Sequence, residues 1–367
     1  MKISPRAGPL ANYLSMSTRK RIAAVRQRLG ELDGLLVTSL PNIRYLTGFT
    51  GSNAIVLITR LKAILFTDPR YTLQSVAETA GSGVQARTVK RPLELTVVKK
   101  LKGLRKVGFE NGSIGYASWE HFAKAATLEP SKGLVETLRM VKSEDEIAVI
   151  RASVDTNSQA FAAAIGRFRS GMSELDLAAE IDYQMRLLGA EKPAFETIVA
   201  FKTNSALPHA RPGAAKIDRN GLLLIDMGSF RGGYASDMTR CLHLGTPAAK
   251  TRQLYRAVLE AQLAAIDAVR PGVKAGSVDK AARETLEKHG LAKAFVHSTG
   301  HGLGLEIHET PRIGKGDKTA LAAGMAITIE PGAYLQGQGG VRIEDTVLVT
   351  PTGVEILTPT SKQLTIL

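Results

Sequence analysis

Residues 220–245 read NGLLLIDMGSFRGGYASDMTRCLHLG. Two apolar runs flank a glycine-rich centre, the pattern of two strands joined by a tight turn. Each strand carries one aspartate, Asp226 and Asp237. With a two-residue loop at Arg231-Gly232, Phe230 pairs with Gly233 and the two aspartates stand directly opposite each other. A second segment, GMAITIEPGAYLQGQGGVRIEDTVLVT at residues 324–350, has the same plan. A three-residue loop at 336–338 puts Glu330 opposite Glu344. The tetrapeptides IDMG (225–228) and IEPG (329–332) hold matching places in the two hairpins.

Opposed carboxylates repel one another across a ladder. Among Leu, Ile and Val they also lose their hydration, which is costly for a charged group. Two such pairs therefore ask for cations. Arg342 is close in sequence, but four carboxylates match two divalent ions better than one guanidinium.

Each hairpin follows a helix, a turn and a second helix: residues 163–189 before the first, 264–290 before the second. Both units open with Ala-Ala-Ile, break at a Gly-containing turn and close on Gly. The repeat predicts two half-domains of similar plan meeting at an interface, where sites usually lie. Upstream, a basic amphipathic helix over 18–29 precedes strand-like GLLVTS, AIVLIT and KAILFTD, a helical stretch after Tyr71, and a further strand KVGFE. Ser143 with Glu146 forms a capping box that opens a long helix. We therefore expect an N-terminal extension at 1–17, an α/β domain at 18–140 and an α+β domain with an internal pseudo-two-fold repeat at 141–367. Residues 1–15 read as a disordered lead-in, or as preceding a natural start at Met16.

The net charge of +14 is unevenly placed. Residues 1–142 hold 23 basic and nine acidic side chains, whereas residues 143–367 balance at 25 of each. The excess is scattered and no nucleic-acid-binding motif accompanies it, which counts against a nucleic-acid partner. No apolar run is long enough for a membrane span, and Pro5, Pro9 and Asn12 interrupt any signal-peptide core. A single cysteine, Cys241, suits a reducing compartment, so a cytoplasmic location is expected. Cys241 reads as a small buried apolar residue, and His121, His243 and His289 as structural histidines.

The stretch HSTGHGLGLEIHET, residues 297–310, concentrates three of the seven histidines, His297, His301 and His308, between glycines. Gly300, Gly302 and Gly304 disfavour a helix and let backbone pass close to a ligand. A carboxylate-rich site commonly completes its shell with an imidazole.

At these residues the chain resembles the prolidase and aminopeptidase P metallopeptidases, over about residues 18–367. PNIRYLTGFTGSN and FTDPRY resemble the creatinase-type N-terminal domain. NSALPHARPG, LIDMG with YASDMTR, HSTGHGLGLEIHE, IEPG and GGVRIED resemble the catalytic blocks of the pita-bread fold, in order. The resemblance implies that Asp226, Asp237, His301, Glu330 and Glu344 hold two divalent ions, with Asp237 and Glu344 bridging. It implies His209, His308 and Glu330 as catalytic groups: Glu330 shuttles a proton and His308 stabilises the oxyanion. His297, Arg342, Tyr334 and Arg312 would face substrate. Oxygen-rich ligation favours manganese, although cobalt, zinc or iron can occupy such a site. The wording looks closest to short bacterial Xaa-Pro aminopeptidases, which implies a homodimer that cleaves proline-containing peptides after their first residue. The alternatives are an Xaa-Pro dipeptidase (prolidase) and, more distantly, a catalytically silent binding module that uses the basic N-terminal domain. Two departures from the family pattern bear on substrate preference: Phe201-Lys202 where a small Ser-Gly pair is common, and Cys241 with His243 where small or β-branched residues are usual.

Overall fold

A computed structural model describes residues 9–131 and 133–367. The chain separates into two compact units, one ending at Arg139 and the other running Met140–Leu367. No helix among the described residues is long and apolar enough to cross a membrane.

The first unit is a mixed six-stranded sheet with helices packed on it. Strands Gly34–Val37, Ala54–Thr59 and Ala63–Thr67 pair antiparallel, while Gln85–Thr88, Lys106–Phe109 and Thr127–Pro130 add parallel at the edges. Alternate residues Leu36, Ile55, Leu57, Ile64, Phe66 and Val107 form its core with Leu93, Val97 and Leu101 of a covering helix. The first helix spans Pro9–Gln27, beginning well before the expected Thr18. Residues 1–8, part of the expected lead-in, lie outside the described residues.

The second unit opens where the capping box predicts. The helix Glu144–Arg167 starts with Ser143 Oγ accepting from the Glu146 amide, and the Glu146 carboxylate accepts from the Ser143 amide. Helices Glu144–Arg167 and Glu174–Leu187 make the first helical pair; Ala249–Asp267 and Ala275–Lys288 make the second. The pairs are followed by a four-stranded and a five-stranded sheet respectively. Strand Gly221–Met227 is buried on both faces. Leu223, Ile225 and Met227 pack towards the first helical pair, with Leu177, Ile181 and Met185. Leu222 and Leu224 pack towards the second, with Val258, Ala261 and Val278. Double burial explains why this strand reads as an unbroken apolar run.

The first hairpin corrects the expected register. Its tip pairs Arg231 with Tyr234 and Phe230 with Ala235, so the loop is Gly232-Gly233 rather than Arg231-Gly232. Both glycines are left-handed, with φ of 58° and 80°, as a two-residue hairpin turn requires; arginine in the first position would be strained. Asp226 consequently faces Thr239, and Asp237 sits two residues off, just before strand Met238–Leu244. A shift of two leaves both aspartates on one face. The second hairpin keeps the expected register. Gly332 faces Arg342 and Ile329 faces Asp345, with the loop at 336–338. Glu330 and Glu344 fall opposite each other where these two ladders meet.

A Cβ on Gly232 would fall 2.7 Å from Val149 Cγ1 in addition to the left-handed strain. Gly232→Ala is therefore expected to destabilise the protein by about 1–2 kcal/mol, read as a lower denaturation midpoint with an unchanged m-value.

Candidate metal centre

The interlocking of the two hairpins brings all four acids together. Thr346 Oγ1 donates to the Asp237 carbonyl (2.9 Å), and the Glu344 amide donates to the Thr239 carbonyl (3.2 Å). Asp226, Asp237 and Glu344 are 9%, 5% and 1% exposed. His301 arrives on the short strand Gly300–Gly302, where a Cβ on Gly300 would fall 2.0 Å from the Thr328 carbonyl oxygen. This close approach is the physical need for glycine in HSTGHGLG. Ligand atoms of Asp237, His301 and Glu344 all lie within 4.8 Å of one another. His301 Nε2 lies 3.6 Å from Asp237 Oδ2 and 3.3 Å from Glu330 Oε1.

Several features suit this group to a cation. The buried oxygens Asp226 Oδ1, Asp237 Oδ1 and Glu344 Oε1 have no hydrogen-bond partner, an expensive arrangement for bare carboxylates. His301 Nδ1 donates to the Gly302 carbonyl at 2.9 Å, so the lone pair of the neutral ring sits on Nε2, towards the acids. Burial, reinforced by Glu344 and Asp226, lifts the Asp237 carboxyl well above its usual range. Glu344 is likewise raised well above its range by burial and then by Glu330 and Asp226. Burial pushes Glu330 up to about 7, against the pull of Arg342. A neighbouring pair of divalent cations would reverse these shifts.

A cavity of about 740 Å³ opens over the acids and is lined by Asp226, Asp237, Glu330 and Glu344 with His209, His297, His301, His308, Arg312 and Arg342. Phe195 and Ile198 supply apolar wall. The His308 ring lies 4.4 Å from that of His301, and partial desolvation lowers its basicity. Burial, then the nearby Arg342, depresses His297 to about 4. Both histidines are therefore neutral at physiological pH.

Two expected substrate contacts are placed differently. Arg342 Nη2 binds Asp226 Oδ2 at 2.6 Å, Nε donates to Thr239 Oγ1, and Nη1 donates to Tyr334 Oη and the Pro208 carbonyl. Four of its five N–H groups thus serve the protein itself. Tyr334 lies behind the cavity wall, bridging Arg342 Nη1 (2.6 Å) and His297 Nε2 (2.9 Å). Since His297 Nδ1 donates to the Ser298 carbonyl, Tyr334 must donate to Nε2. Arg342, Tyr334 and His297 therefore form a relay that orients the cavity wall. It leaves His297 without a free nitrogen for substrate.

Other supports carry no signal that we read in the sequence. Thr239 and Thr328 hydroxyls donate to Glu344 (2.7 Å) and Glu330 (3.2 Å). Asp279, 1% exposed, accepts from the Thr299 amide and hydroxyl and pairs with Arg283, which also donates to the His297 carbonyl. Glu174 accepts from the Phe201 and Gly213 amides and from Asn204, pinning the loop that carries His209. The spacing of Asp279 and Arg283 is legible as a helical i,i+4 pair. Its role depends on tertiary neighbours.

Comparison with known proteins agrees with this geometry. Metallopeptidase family M24 matches residues 148–351, and the creatinase/prolidase N-terminal domain matches residues 21–141. An Xaa-Pro dipeptidase of Pyrococcus horikoshii is 38% identical over 337 residues, 91% of this chain and 94% of that protein. Among solved structures, an Xaa-Pro dipeptidase from Bacillus anthracis superposes with a TM-score of 0.91 at 36% identity, covering 96% of this chain and all of the other. An X-Pro aminopeptidase from Thermotoga maritima superposes at 0.85 with 33% identity, covering 93% and 99%. A creatinase-type α/β domain followed by a pita-bread domain with paired hairpins places this chain in metallopeptidase family M24.

Proposed function

We propose that the protein is an Xaa-Pro dipeptidase, hydrolysing the bond between a first residue and a C-terminal proline. Asp226, Asp237, His301, Glu330 and Glu344 would hold two divalent ions, for which the donor set favours manganese. Bound there, the ions supply an activated water and stabilise negative charge on the scissile group. Glu330 would move the proton towards the leaving proline nitrogen. His308 donates to the developing oxyanion as a neutral imidazole, and His209 holds the substrate from the facing loop.

The observation that carries the choice of dipeptidase is Arg312. Its strand, Glu309–Ile313, pairs Arg312 with His301 across the ladder. The side chain is exposed, lines the cavity and has no acidic partner among the described residues. In an Xaa-Pro dipeptide the free carboxylate directly follows the proline ring, within reach of a guanidinium beside the reacting centre. A longer peptide presents a neutral amide there. The dipeptidases of P. horikoshii and B. anthracis support the same reading. The aminopeptidase reading is carried by the T. maritima enzyme.

Assay of the manganese-loaded protein with Ala-Pro and Ala-Pro-Ala, measuring free alanine, separates the two. We expect release from Ala-Pro, abolished by chelator, and little from Ala-Pro-Ala; equal or faster cleavage of the tripeptide would establish the aminopeptidase instead. Arg312→Ala should raise KM for Ala-Pro by about 10–100-fold with a smaller change in kcat, as a ground-state carboxylate contact requires. An unchanged KM would remove Arg312 from the substrate site.

Chelated protein should also show a defined pH dependence. Glu330 titrates at about 7 when folded against 4.5 in an ordinary setting. Between those values the folded state therefore holds a proton that the unfolded chain has released. Stability is full below about pH 4.5 and falls as pH rises through 7. The melting temperature should drop by several degrees from pH 5 to 8 and recover on adding manganese at pH 8. A flat profile that metal does not alter would contradict the buried cluster.

A further inference from the structure

A second cavity, of about 810 Å³, opens elsewhere on the strands that carry the acids and shares no lining residue with the first. Its floor includes Leu222 and His243, a cross-strand pair four residues along the hairpin from Asp226 and Thr239, or about 13 Å. Lys202, Lys250 and Arg256 line it, and no aspartate or glutamate does.

Three features of this cavity bear on what it could hold. The helix Ala249–Asp267 begins here. Its N-cap, Ala248, offers no side-chain acceptor, so first-turn amides at the cavity wall are left for another partner. His243 is only 3% exposed, and its Nδ1 donates to the Gly245 carbonyl at 2.9 Å. Its Nε2 has no partner among the described residues, although the ring lines the cavity. Such a nitrogen can accept from a phosphoryl hydroxyl.

Lys202 completes the set. It is the single non-glycine residue with positive φ among those described, at 52°. Its side chain lies across Gly221, where a Cβ would sit 2.7 Å from its Cγ and 2.9 Å from its Cε. The ammonium stands 4.7 Å from the Phe201 ring centroid and 4.0 Å from Asp218 Oδ1, too far for a hydrogen bond. A strained lysine whose charge has no hydrogen-bonded acid points to a ligand outside the protein. His289, also on the wall, is already paired with Glu260 at 2.7 Å.

We propose that this cavity binds a small molecule through a phosphoryl group. Three cations and a helix start suit a dianion with three acceptor oxygens better than a carboxylate with two. The volume leaves room for an attached group of nucleoside size. The two cavities are linked along the chain: Lys202 opens the segment that leads to His209, and Leu335 and Gly339 share a hairpin with Tyr334 and Arg342.

Calorimetric titration of the metal-loaded full chain with inorganic phosphate and AMP, at constant ionic strength set by chloride, tests the proposal. Adenosine serves as the uncharged control, and His301→Ala removes phosphate binding at the metals. We expect phosphate and AMP to keep binding in His301→Ala, and adenosine not to bind. Lys250→Ser/Arg256→Ser should lose about tenfold or more in affinity for both anions with unchanged melting temperature. Lys202→Gly should weaken binding while raising the melting temperature, because it releases the left-handed strain. Three results would each overturn the proposal: binding that disappears in His301→Ala, binding that the double variant retains, or adenosine binding as tightly as AMP.

Discussion

Burying four carboxylates against one another is the constraint on which the second unit depends. Like charges at this separation repel, and removing them from water adds a penalty that side-chain hydrogen bonds only partly offset. The protein meets it with one guanidinium, two threonine hydroxyls and the Nε2 face of one imidazole. That set leaves three carboxylate oxygens without a partner. The unpartnered oxygens suit divalent cations, and the neighbouring cavity opens over them.

The scaffold is arranged to make this unfavourable cluster rigid. Strand Gly221–Met227 is clamped between two helical pairs, which fixes the backbone that carries Asp226. The second hairpin is tied to the first through Thr346, Thr239 and the buried Arg240–Asp345 pair, which Gln262 and Lys362 also join. Outside the acids, Asp279 with Arg283 and Glu174 with its loop amides hold the two histidine-bearing segments in place. The acids Asp279, Glu174 and Asp345 among them are buried and hydrogen-bonded. Such networks rigidify a site that would otherwise fluctuate.

Much of this was legible from residues alone. Strand runs, the capping box at Ser143, the paired helical units and the face shared by the acids all follow from local periodicity and composition. The register of the first hairpin did not. Arg231-Gly232 and Gly232-Gly233 are both plausible loops, and the second lies lower in energy only because each central residue must be left-handed. The helix from Pro9 was missed because Pro9 and Asn12 were read as breaks, whereas proline is tolerated in the first turn of a helix. Arg342 and Tyr334 were expected to face substrate, yet their donors turn towards Asp226, Pro208 and His297 rather than into the cavity. Side-chain direction depends on partners from four separate segments, and no local pattern encodes it.

By itself the sequence determined which side chains are candidates for the chemistry: five metal-type donors in and beside apolar strands, histidines between glycines, and two helix–hairpin units. Those properties are local, set by residue type and by the two-residue period of a strand. Only the tertiary structure decided that the five donors converge and that Arg312 reaches the cavity unpaired. It also placed Lys202, His243 and a helix start around a second cavity. Those outcomes depend on packing between segments far apart in the chain, where the energy of one contact is fixed by what all its neighbours already bind.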